Sequence, residues 1–372
     1  MTTIVHAAGA AELLAAIPVL TGFTPRDSVV LLPFRGARTA GALRFDLPSG
    51  AIPAAAEFAA TAIGLTCRVP ETDALAIAVY ADAAPCQGGA LPAVALVEEL
   101  IGRAEACGLH VVEALFVGGD SWADYRDQES APHPLKDVPP PPPVPGFAGP
   151  APDQFSGTEL PAPGLFAAES VGRALLAVER VLGPAAQGRT RPPTPARADP
   201  RAQETALLLD DLPSFLEEVL DSPEALSPFA TAALVWVLNR PALRDVALVQ
   251  WASGIDCGDR ALAAQLCHRR RGAAVPADIG GILIGDGPRP DGDRLGVALA
   301  LVRHTIPLAP RDARGGPLAA AAWLSWARGR STHAARYLDQ AQSVDPELTF
   351  AQLLRTVVDA GILPRWSFRA AA

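Results

Sequence analysis

Between residues 132 and 163 twelve positions are proline, five of them consecutive from Pro139 to Pro143. Proline has no backbone N–H and holds φ near −65°, so this stretch cannot supply the donors that a helix or a centrally paired strand needs. It is expected to run extended and solvated, as a linker over residues 131–163 that divides the chain of 372 residues. Residues 1–130 then form one domain. A second run of breakers, Gly183 to Pro200, in which Arg189, Arg191 and Arg197 alternate with prolines, marks residues 164–200 as a short helix followed by an arm. Residues 201–372 make the second domain. With 49% hydrophobic and only 19% charged residues, both domains have enough apolar side chains for buried cores.

The N-terminal part alternates between helical and strand patterns. Leu13, Leu14, Ile17 and Leu20 make one apolar stripe of a helix, with Gly9 and Glu12 placed as its N-cap and N3 residues. Pro18 is expected to distort or end that helix, and Gly22 to close it in the left-handed backbone region. Ser28 to Phe34 is nearly all apolar, the pattern of a strand covered on both faces. Leu43, Phe45 and Leu47 alternate with Ala42, Arg44 and Asp46, which predicts an antiparallel hairpin over 40–47 after the turn at Arg35–Arg38. Helices near 53–63 and 91–106, with strands at 74–80 and 111–117, complete an α/β domain with a mixed sheet.

The segment Leu20-Thr21-Gly22-Phe23-Thr24-Pro25-Arg26-Asp27-Ser28 follows the pattern Leu-x-Gly-Phe-x-Pro-x-Asp-Ser between a helix and a strand. Together with the C-terminal third it resembles the actinobacterial domain-of-unknown-function 4192 family, over most of residues 10–125 and 240–366. The resemblance implies a helix-loop-strand opening and a lineage; it implies no reaction, because that family has no assigned activity. Arg240-Pro241-Ala242-Leu243-Arg244-Asp245 resembles the family's helix-opening Arg-Asp motif, in which Arg244 and Asp245 are expected to pair. Family members carry a cysteine cluster after their Trp-x-x-Tyr region. Here Trp122 and Tyr125 are followed by residues 126–130 without a cysteine, so any metal or disulfide feature of that cluster is missing from this chain.

From Arg201 onward the apolar residues recur with helical period, over 202–221, 224–239, 241–252, 259–270 and 293–305, then 318–328, 331–343 and 348–360. The second domain is therefore expected to be all-α. Ala321, Ala322, Trp323 and Trp326, followed by Ala334, Ala335, Tyr337 and Leu338, make one tetratricopeptide-like helix pair. A free-standing solenoid needs about three repeats, so the pair reads as the closing part of a compact helical domain. The glycine- and aspartate-rich segment 280–293 fits neither a phosphate loop nor a calcium loop, and Asp293 is expected to cap the helix after it.

A formal net charge of −9, with Lys136 the single lysine, opposes nonspecific binding to nucleic acid or anionic membranes. No apolar run reaches the roughly 18 residues of a membrane span. The N-terminus lacks a basic residue before its apolar stretch, so a secretion signal is not expected and the chain is placed in the cytoplasm. The five cysteines form no Cys-x-x-Cys pair and are expected as reduced, buried thiols; the six histidines are dispersed, so neither a metal nor a cofactor is expected.

If the strands at 74–80 and 111–117 are parallel, Asp82 and the Gly118–Trp122 loop emerge at the carboxyl edge, where open α/β sheets bind ligands. Asp27, Ser28, Asp46, Asp82, Asp120 and Trp122 are the candidate ligand-binding residues there. The competing reading has the glycines turn the chain, Asp120 bond locally and Trp122 cover the core. Two function classes follow. The favoured one is a non-catalytic binding or protein-interaction module that receives a protein partner on the helical domain, around Arg336 and Gln340. The alternative is a metal-assisted enzyme or small-ligand sensor at the sheet edge, which requires Asp27, Asp46, Asp82 and Asp120 to converge where they could hold Mg²⁺.

Overall fold

The computed structural model describes residues 9–39, 41–48, 52–82, 91–127, 130–141, 144, 148–186, 199–221, 223 and 225–368. The chain forms two compact units, Met1–Ser156 and Gly157–Ala372. The division falls inside the stretch expected as a linker.

The first unit is a sheet covered by helices on both faces. Its strands are β1 (Ser28–Arg35), β2 (Arg38–Thr39), β3 (Leu43–Asp46), β4 (Ala74–Tyr80), β5 (His110–Gly118), β6 (Ser121–Asp124) and β7 (His133–Pro134), and its helices are α1 (Ala10–Thr21), α2 (Ile52–Thr66) and α3 (Val94–Ala106). The strand order is β2-β1-β4-β5-β6-β7, with β3 also pairing β1. β1 runs antiparallel to β4 and β4 parallel to β5, so the sheet is mixed. Successive side chains on a strand point to opposite faces. Val29, Leu31, Ile77 and Val79 join the core that includes Ala59, Ile63, Val97 and Leu100 of α2 and α3. Val30, Leu32, Ala76 and Ala78 join Leu13, Leu14 and Ile17 of α1 on the other face. Covered twice, β4 is buried along its whole length, which is why its sequence is uniformly apolar.

α1 does not end at Pro18. The proline sits in the last turn, where it removes a single helical donor, and its own carbonyl still accepts the N–H of Gly22 at 2.9 Å. Gly22 closes the helix at φ 82°. The expected hairpin arm over 40–47 is two short strands, β2 and β3, which pair in tandem with the same edge of β1.

Parts of the proline-rich segment are built into this unit. β7 pairs with β6, Trp122 opposite His133, and its Pro134 stands at the sheet edge, where a missing donor costs no ladder bond. Ala151 donates its N–H to Gly22 O and accepts from Thr24 N–H, both at 2.9 Å. Gln154 is buried. Pro139–Pro141 are exposed.

The second unit contains helices α4 (Leu165–Ala186), α5 (Pro200–Leu208), α6 (Leu212–Asp221), α7 (Pro228–Leu238), α8 (Pro241–Ser253), α9 (Ile255–Arg271), α10 (Ala277–Leu283), α11 (Gly292–Leu308), α12 (Gly315–Ala327), α13 (Ser331–Val344) and α14 (Thr349–Asp359). The helix expected over 202–221 is split by a 3₁₀ turn, Leu209–Asp211, α4 runs on past Gly183, and α10 reaches into the glycine- and aspartate-rich segment 280–293. The expected arm lies largely at 187–198, outside the described residues. Asp291, not Asp293, caps α11, accepting the N–H groups of Asp293 and Arg294 at 2.8 and 3.3 Å. A cap must precede the first helical turn, and α11 begins one residue before Asp293.

The core of this unit is built on buried aromatics. Trp323, Trp326 and Trp366 donate their indole N–H to the carbonyls of Leu283, Ile362 and Ala327, so these three rings are buried without orphaning a donor. Arg244 is buried, pairs with Asp245 at 3.0 Å and stacks over the Phe350 ring at 3.9 Å. Among the described residues no helix is long and apolar enough to cross a membrane.

Candidate functional site

The strand registers place all six candidate residues at one end of the sheet. Ser28 at the start of β1 lies opposite both Asp46 at the end of β3 and Tyr80 at the end of β4, and Tyr80 lies beside Val117 of β5. Asp27, Asp46 and Asp82 therefore leave three adjacent strands together, while Asp120 leaves β5 one strand further on.

Proximity does not make these carboxylates a free cluster. Asp27, held at φ 42°, accepts the N–H of Asp82 at 3.2 Å. Asp46 pairs with the Arg44 guanidinium at 2.6 Å. Arg44 also donates from Nε to Ser28 Oγ at 2.8 Å, and the buried Ser28 hydroxyl donates in turn to the Arg26 carbonyl. A serine whose proton sits on a backbone carbonyl and whose lone pair receives a guanidinium is a structural hydroxyl, with no base to activate it. Asp120 is exposed, and its backbone carbonyl takes the N–H of Leu135 at 2.8 Å. Trp122 points into the α1-side core and stacks on His133 at 4.4 Å between ring centroids. Among the described residues no three His, Cys, Asp or Glu side chains gather so as to hold a metal ion.

A residue from the proline-rich segment braces this end of the sheet. Gln154 accepts the N–H of Arg26 at 3.1 Å and donates to the Arg26 carbonyl at 2.9 Å, as a strand partner would. Asp153 beside it is held below the usual carboxylate range by the Ser156 hydroxyl, helped by the N–H groups of Phe155 and Ser156 and by the charge of Arg26. No local pattern announces such a partner 128 residues away; a polar residue set among prolines was the available signal.

A concave apolar surface lies in the helical unit. A groove of about 270 Å³ runs between the first turns of α4 and α7 and the last turn of α11. Pro163, Val171, Leu226, Pro307 and Leu308 supply apolar walls, and Thr231 and His304 its polar groups. Among the described residues no Asp, Glu, Lys or Arg lines it. Leu165 and Phe166, 89% and 82% exposed, stand in the first turn of α4 between Gly164 and Ala167, which both line the groove. The expected contact residues Arg336 and Gln340 lie on α13, Arg336 exposed and Gln340 half-buried, and neither lines the groove.

Neither a curated protein nor a solved structure matches the chain. Its family does, across both units: the chain belongs to the family described as Domain of unknown function (DUF4192), which it matches over residues 11–365.

Proposed function

We propose that the protein is a non-catalytic binding module whose helical unit takes up an apolar segment of another polypeptide. The observation that carries this reading is the apolar groove at the start of α4, with Leu165 and Phe166 exposed in the same helical turn. Single exposed apolar residues are ordinary, but a contiguous apolar wall and two large exposed side chains together form a docking patch. Size selects the kind of occupant. Sites for whole small molecules run from about 300 to 1,000 Å³. A groove of about 270 Å³ falls below that range and suits a few side chains delivered by a docked chain. The formal charge of −9 favours a segment whose apolar anchors are flanked by lysine or arginine, since the field of the whole protein attracts it. At the sheet end, Asp27 and Asp46 already hold a backbone N–H and a guanidinium, which weakens the case for metal-assisted chemistry there.

Photo-crosslinking tests this. A benzophenone side chain in place of Phe166 should trap one recurrent segment in the native cell, mapped to the residue by mass spectrometry. A synthetic copy of that segment should then bind the purified full chain, and Ala167→Trp, which obstructs the groove, should weaken binding at least tenfold without lowering the melting temperature. Crosslinks scattered over unrelated surfaces, or peptide binding that Ala167→Trp leaves intact, would overturn the proposal.

A further inference from the structure

The topology of the first unit brings two cysteines together. α2 returns the chain from the end of β3 to the start of β4, and α3 from the end of β4 to the start of β5. Because β4 and β5 are parallel neighbours, both helices finish at the same end of the sheet, packed side by side on one face. Each is followed at once by a cysteine. Cys67 N–H donates to Ile63 O at 2.9 Å, and Cys107 N–H to the carbonyls of Arg103 and Ala104 at 3.1 Å. Both thiols are free and exposed, which corrects the expectation of buried cysteines, and Cys107 is the neighbouring group that bears on the Cys67 thiol. The other described pair is unlike this: Cys257 and Cys267 are half-buried on one helix, ten residues apart. At about 1.5 Å rise per residue they stand roughly 15 Å apart, beyond the reach of a disulfide.

We propose that Cys67 and Cys107 are a redox modification site, closing to a reversible intramolecular disulfide that ties the C-terminal end of α2 to that of α3. The oxidant is a low-molecular-weight disulfide. The thiolate of one cysteine attacks one sulfur of that disulfide, whose S–S bond breaks, and one small thiol leaves with the proton given up by the protein. The second cysteine then attacks the mixed disulfide and expels the other small thiol. The protein loses two protons and two electrons, and the small disulfide is reduced to two thiols. Burial, and then the neighbouring Cys107, push the Cys67 thiol up, so little thiolate stands ready and the pair suits slow modification better than turnover. The site belongs to the first unit and does not rest on the docking proposal.

The test exposes the full-length chain to glutathione disulfide. Intact mass should fall by two hydrogens, peptide mapping should join Cys67 to Cys107, and dithiothreitol should reverse both changes. The oxidised chain should melt higher than the reduced one, because a cross-link restricts the unfolded state. Cys67→Ser and Cys107→Ser should each abolish the product while melting like reduced wild type, and the variant lacking both Cys257 and Cys267 should retain it. A bridge through Cys86, bridges between chains, or glutathione adducts that never resolve to the internal disulfide would overturn the proposal.

Discussion

Gly22 and Gly285 share a left-handed backbone, at φ 82° and 81°, but differ in what surrounds them. An added Cβ at Gly22 meets nothing within 4 Å, whereas at Gly285 it would lie 2.8 Å from Pro364 Cα and from a ring carbon of Trp326. Gly22→Ala is therefore expected to cost about 1–2 kcal/mol of backbone strain, and Gly285→Ala clearly more, as read from urea midpoints. Gly22 was legible as a cap because glycine after an apolar stripe is a local signal. The demand on Gly285 was not, since Pro364 reaches it from 79 positions away in sequence. Ser28→Ala removes a buried hydroxyl that serves Arg44 and the Arg26 carbonyl, and should cost about 1–3 kcal/mol. Asp120 carries the metal alternative. Mg²⁺ or Mn²⁺ is expected to leave the melting temperature unchanged, and a rise that Asp120→Asn abolishes would revive that reading.

Helices and strands were readable where the pattern was long. β4 coincides with the apolar run at 74–80, and α8, α12, α13 and α14 fall within a few residues of their expected spans. β6 and β7 were missed because four and two residues cannot display a period, and α10 because its seven residues, two of them glycine, are too few to show one. Contacts between helices were equally silent. Glu217 of α6 accepts from Gln250 of α8 and Arg294 of α11, so one carboxylate ties three helices. Burial alone would raise its pKa, but the hydrogen bonds from Arg294 and Gln250 and the charge of Arg294 outweigh it, and the net shift is downward. A folded-state pKa below the unfolded one contributes stability that is present above the unfolded value, about 4.3, and lost as pH falls through the folded value. Unfolding of the helical unit should therefore ease as pH drops below about 4.3. Glu217→Gln should flatten that dependence and lower stability at pH 7, both measurable by circular dichroism in urea.

The composition correctly suggested two bodies, an α/β one and a helical one, but the boundary between them reflects backbone pairing that composition does not encode. Proline density argues against helix and sheet interiors; it does not forbid single bridges, and Ala151 and Gln154 use that freedom. A fragment of residues 1–156 is accordingly expected to fold with dispersed amide resonances and a cooperative melt. One ending at residue 130 should melt lower, because it loses β7, the Ala151 bridge and the Gln154 brace. Equal melting of the two fragments would show that the returning segment adds nothing.

That brace also sets an order of events on the ribosome. Arg26 is synthesised 128 residues before Gln154. At about 5–20 residues per second, the loop after α1 waits on the order of 6–25 s for its partner to be made. Once β5 has been made, the nascent sheet can hold β1, β4 and β5 but not the segment that secures the loop feeding β1, so the first unit is completed only as translation reaches the second.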